Sequence, residues 1–114
     1  HIDSVADNFI ITADNKIKLI DWEYAGMADP VIDVAMCAIY SYYDKSQADE
    51  LLETYLKRKP LTDEYNKLYS YMALSGYLWA LWTVYKANVG EEFGEYSLKM
   101  YRYAKDFFKE VMKL

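Results

Sequence analysis

Only one cysteine, Cys37, occurs among the 114 residues, so no disulfide can form within the chain. Its neighbours are apolar, which predicts a buried, reduced thiol. No signal peptide is visible, and the expected compartment is the cytoplasm. Basic residues are the minority, 13 Lys and Arg against 18 Asp and Glu, for a net charge of −5. Nucleic acid calls for a basic face, so that class of partner is excluded. The charges are interspersed along the chain and speak mainly to solubility. Long apolar runs are missing as well. The most apolar stretch, Tyr77 to Val84, falls far short of the roughly 20 residues of a membrane span. There is no internal repeat, low-complexity tract or linker. The chain does not begin with Met, and it is expected to be a piece of a longer protein.

What is present points to a packed domain. The apolar fraction is 54%, the aromatic fraction is 18%, and thirteen of the aromatics are tyrosines, which need hydrogen-bond partners as well as packing. A chain of this length forms one small domain or one lobe and buries roughly two-thirds of its unfolded surface.

Two β-branched runs, Asn8 to Thr12 and Ile17 to Ile20, flank the polar turn Ala13-Asp14-Asn15-Lys16 and predict a β-hairpin. Gly26 and Pro30 mark an irregular loop after it. From Val31 the period changes to that of a helix, with Val31, Val34, Ala35, Ala38 and Ile39 on one face. A second helix is expected from Gln47 to Lys59, capped by Ser46 with Asp49 three residues on and stopped by Pro60. A third should follow Thr62, whose hydroxyl can cap it, and run to about Asn88 near Gly90. The last begins between Glu91 and Tyr96, with Glu91, Glu92 and Glu95 at its acidic start and Lys105, Lys109 and Lys113 towards its end. The fold class expected is α+β, mostly α: one β-hairpin followed by about four helices.

The chemistry concentrates at the start. His1, Asp3 and Asn8 form H-x-D-x-x-x-x-N, and Asp21 closes the hairpin in L-I-D-W-E-Y-A-G. This spacing resembles the catalytic loop of protein-kinase-like enzymes, where the Asp accepts the substrate hydroxyl's proton and the Asn and a later Asp hold Mg²⁺. A hairpin returns the chain so that Asn8 at its entry and Asp21 at its exit lie side by side, and Mg²⁺ usually takes only one or two such protein ligands. The bland alternative makes Asp3 and Asp21 turn residues. Trp22-Glu23 replaces Phe-Gly, and no A-P-E segment follows, which points away from protein kinases.

The run H-x-D-x-x-x-x-N-F-I, then L-I-D-W-E-Y-A-G, then D-P-x-x-D-x-A resembles the choline/ethanolamine kinase family, of the bacterial type, within the aminoglycoside-phosphotransferase-like superfamily. The likeness covers residues 1 to about 39. It implies a protein-kinase-like C-terminal lobe over 1–114, with the N-terminal nucleotide lobe absent. It also implies Asp3 as catalytic base, Asn8 and Asp21 as Mg²⁺ ligands, Glu23 as metal support, and ATP as co-substrate. Asp33 matches an Asp that braces the catalytic loop, and reads equally well as a charge at a helix N-terminus. His1 is a scaffold residue with no part in proton transfer.

Downstream, Trp79, Trp82 and Tyr85 are spaced i, i+3, i+6 and are expected to share one broad face. By periodicity alone such a stripe is core. Two Trp one turn apart also form a wall that holds a quaternary ammonium by cation–π attraction, and the family resemblance implies that use for Trp79 and Trp82, leaving Tyr85 as core. Tyr96, after Glu92-Phe93-Gly94 and with Tyr101 behind it, is the expected further wall, and Tyr40 stands where some relatives carry an acid. The implied function is transfer of the ATP γ-phosphoryl group to choline or a related small amino alcohol. The isolated lobe is expected to be inactive without its partner lobe. The rivals are another small-molecule kinase, acting on ethanolamine, an aminoglycoside, an amino sugar or thiamine, and a non-catalytic helical binding module.

Overall fold

The computed structural model describes residues 1–113. The order is β1 (Phe9–Ile11), β2 (Ile17–Leu19), α1 (Val31–Tyr40), α2 (Lys45–Leu56), α3 (Thr62–Asn88) and α4 (Glu95–Lys113), with a 3₁₀ turn over Ala6–Asn8 just before β1. The fold is α+β and mostly helical. It divides into two compact units, His1–Lys59 and Pro60–Leu114.

In the first unit β1 and β2 pair antiparallel, Phe9 with Leu19 and Ile11 with Ile17. The turn between them closes through Thr12 N–H to the Lys16 carbonyl at 2.8 Å, with Asn15 at φ 58°. Asn is among the few side chains that tolerate this left-handed backbone. The Asp14 carboxyl is held below its ordinary value, first by the Thr12 hydroxyl and then by Lys16. Helix α1 packs on α2. Val31, Val34, Ala35, Ala38 and Ile39 are all buried, as their spacing predicts, and Ala48 and Leu52 of α2 are buried too. Each fully buried Leu or Ile contributes about 1.5–3 kcal/mol through area removed from water.

Helix ends depart from the expectations in three places. Helix α2 starts earlier, because Asp44 rather than Ser46 caps it: the Asp44 carboxylate accepts from Gln47 N–H at 2.9 Å, and the Gln47 side chain accepts from Asp44 N–H at 3.0 Å. That reciprocal pair satisfies two orphan donors at once. Asp49, given the second role in the sequence-based cap, instead pairs with Lys45 at 2.8 Å. The helix ends at Leu56, where Lys57 turns left-handed at φ 56°, before Pro60 has any effect. Thr62 is the first residue of α3 rather than its cap; Glu64 accepts from the Leu61 N–H at 2.7 Å instead. Cys37 is half-buried rather than buried. Desolvation still raises its thiol above the ordinary 9.0, opposed by a hydrogen bond with Ser41.

The second unit is the pair α3 and α4. Leu68, Tyr69, Met72, Met100 and Phe107 form its core, with Tyr69 and Tyr103 flanking Phe107 at centroid distances of 5.7 and 5.8 Å. The helices come close at Gly76, where a Cβ would lie 2.8 Å from the Met100 carbonyl and 2.9 Å from Ala104 N. Farther along, the Thr83 hydroxyl donates to the Ala80 carbonyl at 2.6 Å and accepts from Ser97 Oγ at 2.7 Å, joining α3 to α4 through a buried hydroxyl. No helix among the described residues is long and apolar enough to cross a membrane.

Candidate functional site

In the first unit, the loop before the hairpin is shaped by α1. Asp29 Oδ1 accepts from Val31 N–H at 3.0 Å, which starts α1 and sets Asp33 in its first turn. The Asp33 carboxylate accepts from Ile2 N–H at 2.7 Å and from the His1 nitrogen at 3.2 Å. Its own carbonyl accepts from Ser4 Oγ at 2.9 Å. One residue thus ties down Ile2 and Ser4, the two neighbours of Asp3. The ties hold a strained backbone: Ile2 stands at φ 74°, a conformation that costs a non-glycine residue about 1–2 kcal/mol and is rarest for β-branched ones. Strain of this kind persists only where its surroundings impose it.

Asp3 is half-buried. Asn8 is buried, and its Nδ2 donates to the Asp3 carbonyl at 2.8 Å and to Asp3 Oδ2 at 3.2 Å. With the amide nitrogen committed to Asp3, Oδ1 is the atom Asn8 offers to a cation. Ile20 N–H donates to the Asn8 carbonyl at 2.9 Å, so the next residue, Asp21, is delivered to the base of the hairpin beside Asn8. Asp21 is exposed and left-handed at φ 63°, which Asp tolerates better than most residues. An amide oxygen and a carboxylate on adjacent backbone suit a hard cation that completes its shell with water or phosphate oxygens.

His1 joins the two ends of this arrangement. Its Nε2 lies 2.8 Å from the Ile20 carbonyl, and its ring packs edge-on against Trp22 at 4.8 Å. Glu23 follows in an exposed turn closed by Ala25 N–H to the Trp22 carbonyl, and has no hydrogen bond or ion pair among the described residues. Hydrogen bonds therefore join Asp3 to Asn8 and Asp33 to the loop around Asp3, with His1 as tie. Asp21 follows Ile20 at the base of the hairpin with its exposed side chain in no hydrogen bond or ion pair among the described residues, and Glu23 stands outside them. Tyr40 is the last residue of α1, half-buried, in this first unit.

Trp79, Trp82 and Tyr96 belong to the second unit. Trp79 and Trp82 meet edge to face at 5.6 Å. Phe93 packs on Trp82 at 4.8 Å, and Tyr96 lies 6.3 Å beyond Phe93. The four rings form one connected row from α3 to the start of α4. Lys86 Nζ stands over Trp82, 5.6 Å from the ring centroid.

Tyr85 does not share the tryptophan face and is not core: it is 63% exposed. Six residues of helix turn through about 600°, which puts Tyr85 roughly 120° from Trp79. Tyr101 is exposed as well. Phe93 and Lys86 were passed over by the sequence reading. Lys86 is four residues after Trp82, so the i, i+4 rule carries its signal. Phe93 is legible only as part of the Glu92-Phe93-Gly94 turn, where Gly94 at φ 53° bends the chain into α4.

The chain as a whole is similar to known proteins. Two proteins called Protein LicA, both from Haemophilus influenzae, are 37% identical over 108 residues that cover 87% of this chain. The crystal structure of choline kinase LicA from Streptococcus pneumoniae superposes with a TM-score of 0.76 at 36% identity, covering 96% of this chain. The chain spans 39% and 31% of the length of the two curated relatives and 39% of the crystallised one. Residues 1–69 match the phosphotransferase enzyme family, a stretch that holds the whole Asp3–Asn8–Asp21–Asp33 arrangement. The chain belongs to the phosphotransferase enzyme family.

Proposed function

We propose that residues 1–114 are the C-terminal lobe of a choline kinase, which transfers the ATP γ-phosphoryl group to the hydroxyl of choline. The observation that carries this reading is the likeness to a choline kinase at 36% identity and a TM-score of 0.76 over 96% of the chain. The Asp3–Asn8 contact inside the phosphotransferase match supports it.

In the proposed reaction the choline oxygen attacks the γ-phosphorus, the bond to the β,γ-bridging oxygen breaks, and ADP leaves. Asp3 orients the alcohol and accepts its proton. Asn8 and Asp21 hold Mg²⁺, whose contribution is to neutralise charge on the phosphates. Asp33 acts on Asp3 only through the loop backbone, and Glu23 contributes at most to the outer water shell. Trp79, Trp82 and Tyr96 take the trimethylammonium end by cation–π attraction, and Tyr40 adds an aromatic wall. The nucleotide lobe is supplied by the rest of the protein. Dependence on ATP fits a cytoplasmic enzyme.

The test is ADP release by the intact protein with ATP and Mg²⁺ against choline, ethanolamine, an aminoglycoside, an amino sugar and thiamine. Choline should give the highest kcat/KM, and Asp3→Asn should abolish turnover while thermal unfolding stays within a few degrees of wild type. Preference for another acceptor would replace choline as the substrate. No ADP release with any of them would favour a binding module.

A further inference from the structure

Granting the reading of the aromatic row as a cation site, one feature of it is unexpected: the row already holds a cation. Lys86 Nζ is 5.6 Å from the Trp82 centroid, inside the roughly 6 Å reach of cation–π attraction. Trp79 and Phe93 also pack on that ring, at centroid distances of 5.6 and 4.8 Å. The Lys86 side chain is 28% exposed, so it is largely packed yet still in reach of solvent. Glu91 Oε1 lies 3.6 Å from the same ammonium. The Glu91 N–H donates to the Lys86 carbonyl at 3.0 Å, which keeps this carboxylate next to the end of α3.

We propose that Lys86 is a specificity-determining residue: a resident cation that occupies Trp82 until a ligand's ammonium group displaces it towards Glu91. Two positive charges cannot share one ring face without repulsion. The exchange favours one class of ligand. A lysine ammonium is compact and strongly hydrated, so it loses little on moving to water and a carboxylate. A quaternary ammonium is bulky, has no N–H to hydrate, and gains more from the aromatic face. A primary ammonium only repeats what Lys86 already does there. Lys86 thus disfavours unmethylated amines more than methylated ones.

The experiment titrates the intact protein with tetramethylammonium, choline, ethanolamine and the neutral isostere of choline that carries a tert-butyl group, following tryptophan fluorescence and heat. Lys86→Met should tighten tetramethylammonium about two- to fivefold, the range expected for one exposed cation–π contact. Ethanolamine should tighten more, and the neutral alcohol should not change. Lys86→Arg keeps the charge and should bind no tighter than wild type. Unchanged or weaker tetramethylammonium binding in Lys86→Met, or equal tightening of the neutral isostere, overturns the proposal. If Trp82→Ala loses tetramethylammonium binding while Lys86→Met leaves it untouched, the cation site stands and only the role of Lys86 fails. If wild type binds no quaternary ammonium and Trp82→Ala changes nothing, the cation site fails and the role of Lys86 with it.

Discussion

Ile2 is where a single residue's conformation connects to chemistry. A β-branched side chain at φ 74° is held there by an accepting carboxylate from α1, and the next residue is Asp3. Removing the acceptor should let the loop relax towards an ordinary backbone. Asp33→Ala is therefore expected to lower stability by about 1–2 kcal/mol, below the full value of a charged hydrogen bond because the Asp33 side chain is 41% exposed. Turnover by the intact protein should fall at least about tenfold, since displacement of a base by about 1 Å is costly. Urea unfolding and steady-state kinetics measure the two effects, and wild-type kcat in a destabilised Asp33→Ala would show that the ties do not position Asp3. Asp33→Asn keeps one acceptor for Ile2 N–H and should recover part of the loss. Part of this was legible in the sequence: the D-P-x-x-D spacing put an Asp in the first turn of α1. The bonds to Ile2 and Ser4 were not, because they join positions 31 and 29 residues apart, and local pattern carries no information about such a contact.

The elements were legible in number and type, and less so at their ends. The hairpin follows from two β-branched runs around a polar turn, and the buried face of α1 from a period of 3.6 that the helix displays over its length. The ends of α1 and α2 were harder to place, because the left-handed residues there are Tyr42 and Lys57, and glycine or proline is the usual sign of a stop. Local bonding decides instead: Tyr43 N–H reaches back to the Ala38 carbonyl at 3.0 Å. Gly76 is the opposite case, a glycine inside α3 that marks no end. Helix propensity alone would make Gly76→Ala stabilising by up to about 1 kcal/mol. The new Cβ would lie 2.8 Å from a backbone carbonyl of α4, and overpacking of this kind typically costs about 1–3 kcal/mol. The clash should win, giving a net loss of about 1–2 kcal/mol. A shift of the urea midpoint reads it, and a rise in the midpoint would mean that α4 moves away freely.

For the whole molecule, the apolar surface left exposed is informative. Ile11 and Ile17 are partners across the hairpin and are 73% and 70% exposed, with Trp22, Tyr24 and Met27 exposed in the loop that follows. An exposed pair of large apolar side chains such as Ile11 and Ile17 is a candidate place for another surface to bind. The 114-residue chain should accordingly bind an apolar dye such as anilinonaphthalene sulfonate. Ile11→Lys with Ile17→Glu, an opposite-charge pair across the ladder, should reduce the fluorescence at least about twofold with circular dichroism unchanged. Dye binding that persists undiminished would locate the apolar surface elsewhere. The row of rings in the second unit has a different dependence. Thr83 and Ser97, whose hydroxyls join α3 to α4 at 2.7 Å, are each the immediate neighbour of a wall residue, Trp82 and Tyr96. In the proposed cation site, the hydroxyl pair therefore helps fix where Trp82 and Tyr96 stand, from positions that need never touch a ligand. On that proposed reading, exchanging these two small hydroxyl residues would shift the helices that carry Trp82 and Tyr96 while every aromatic ring is kept.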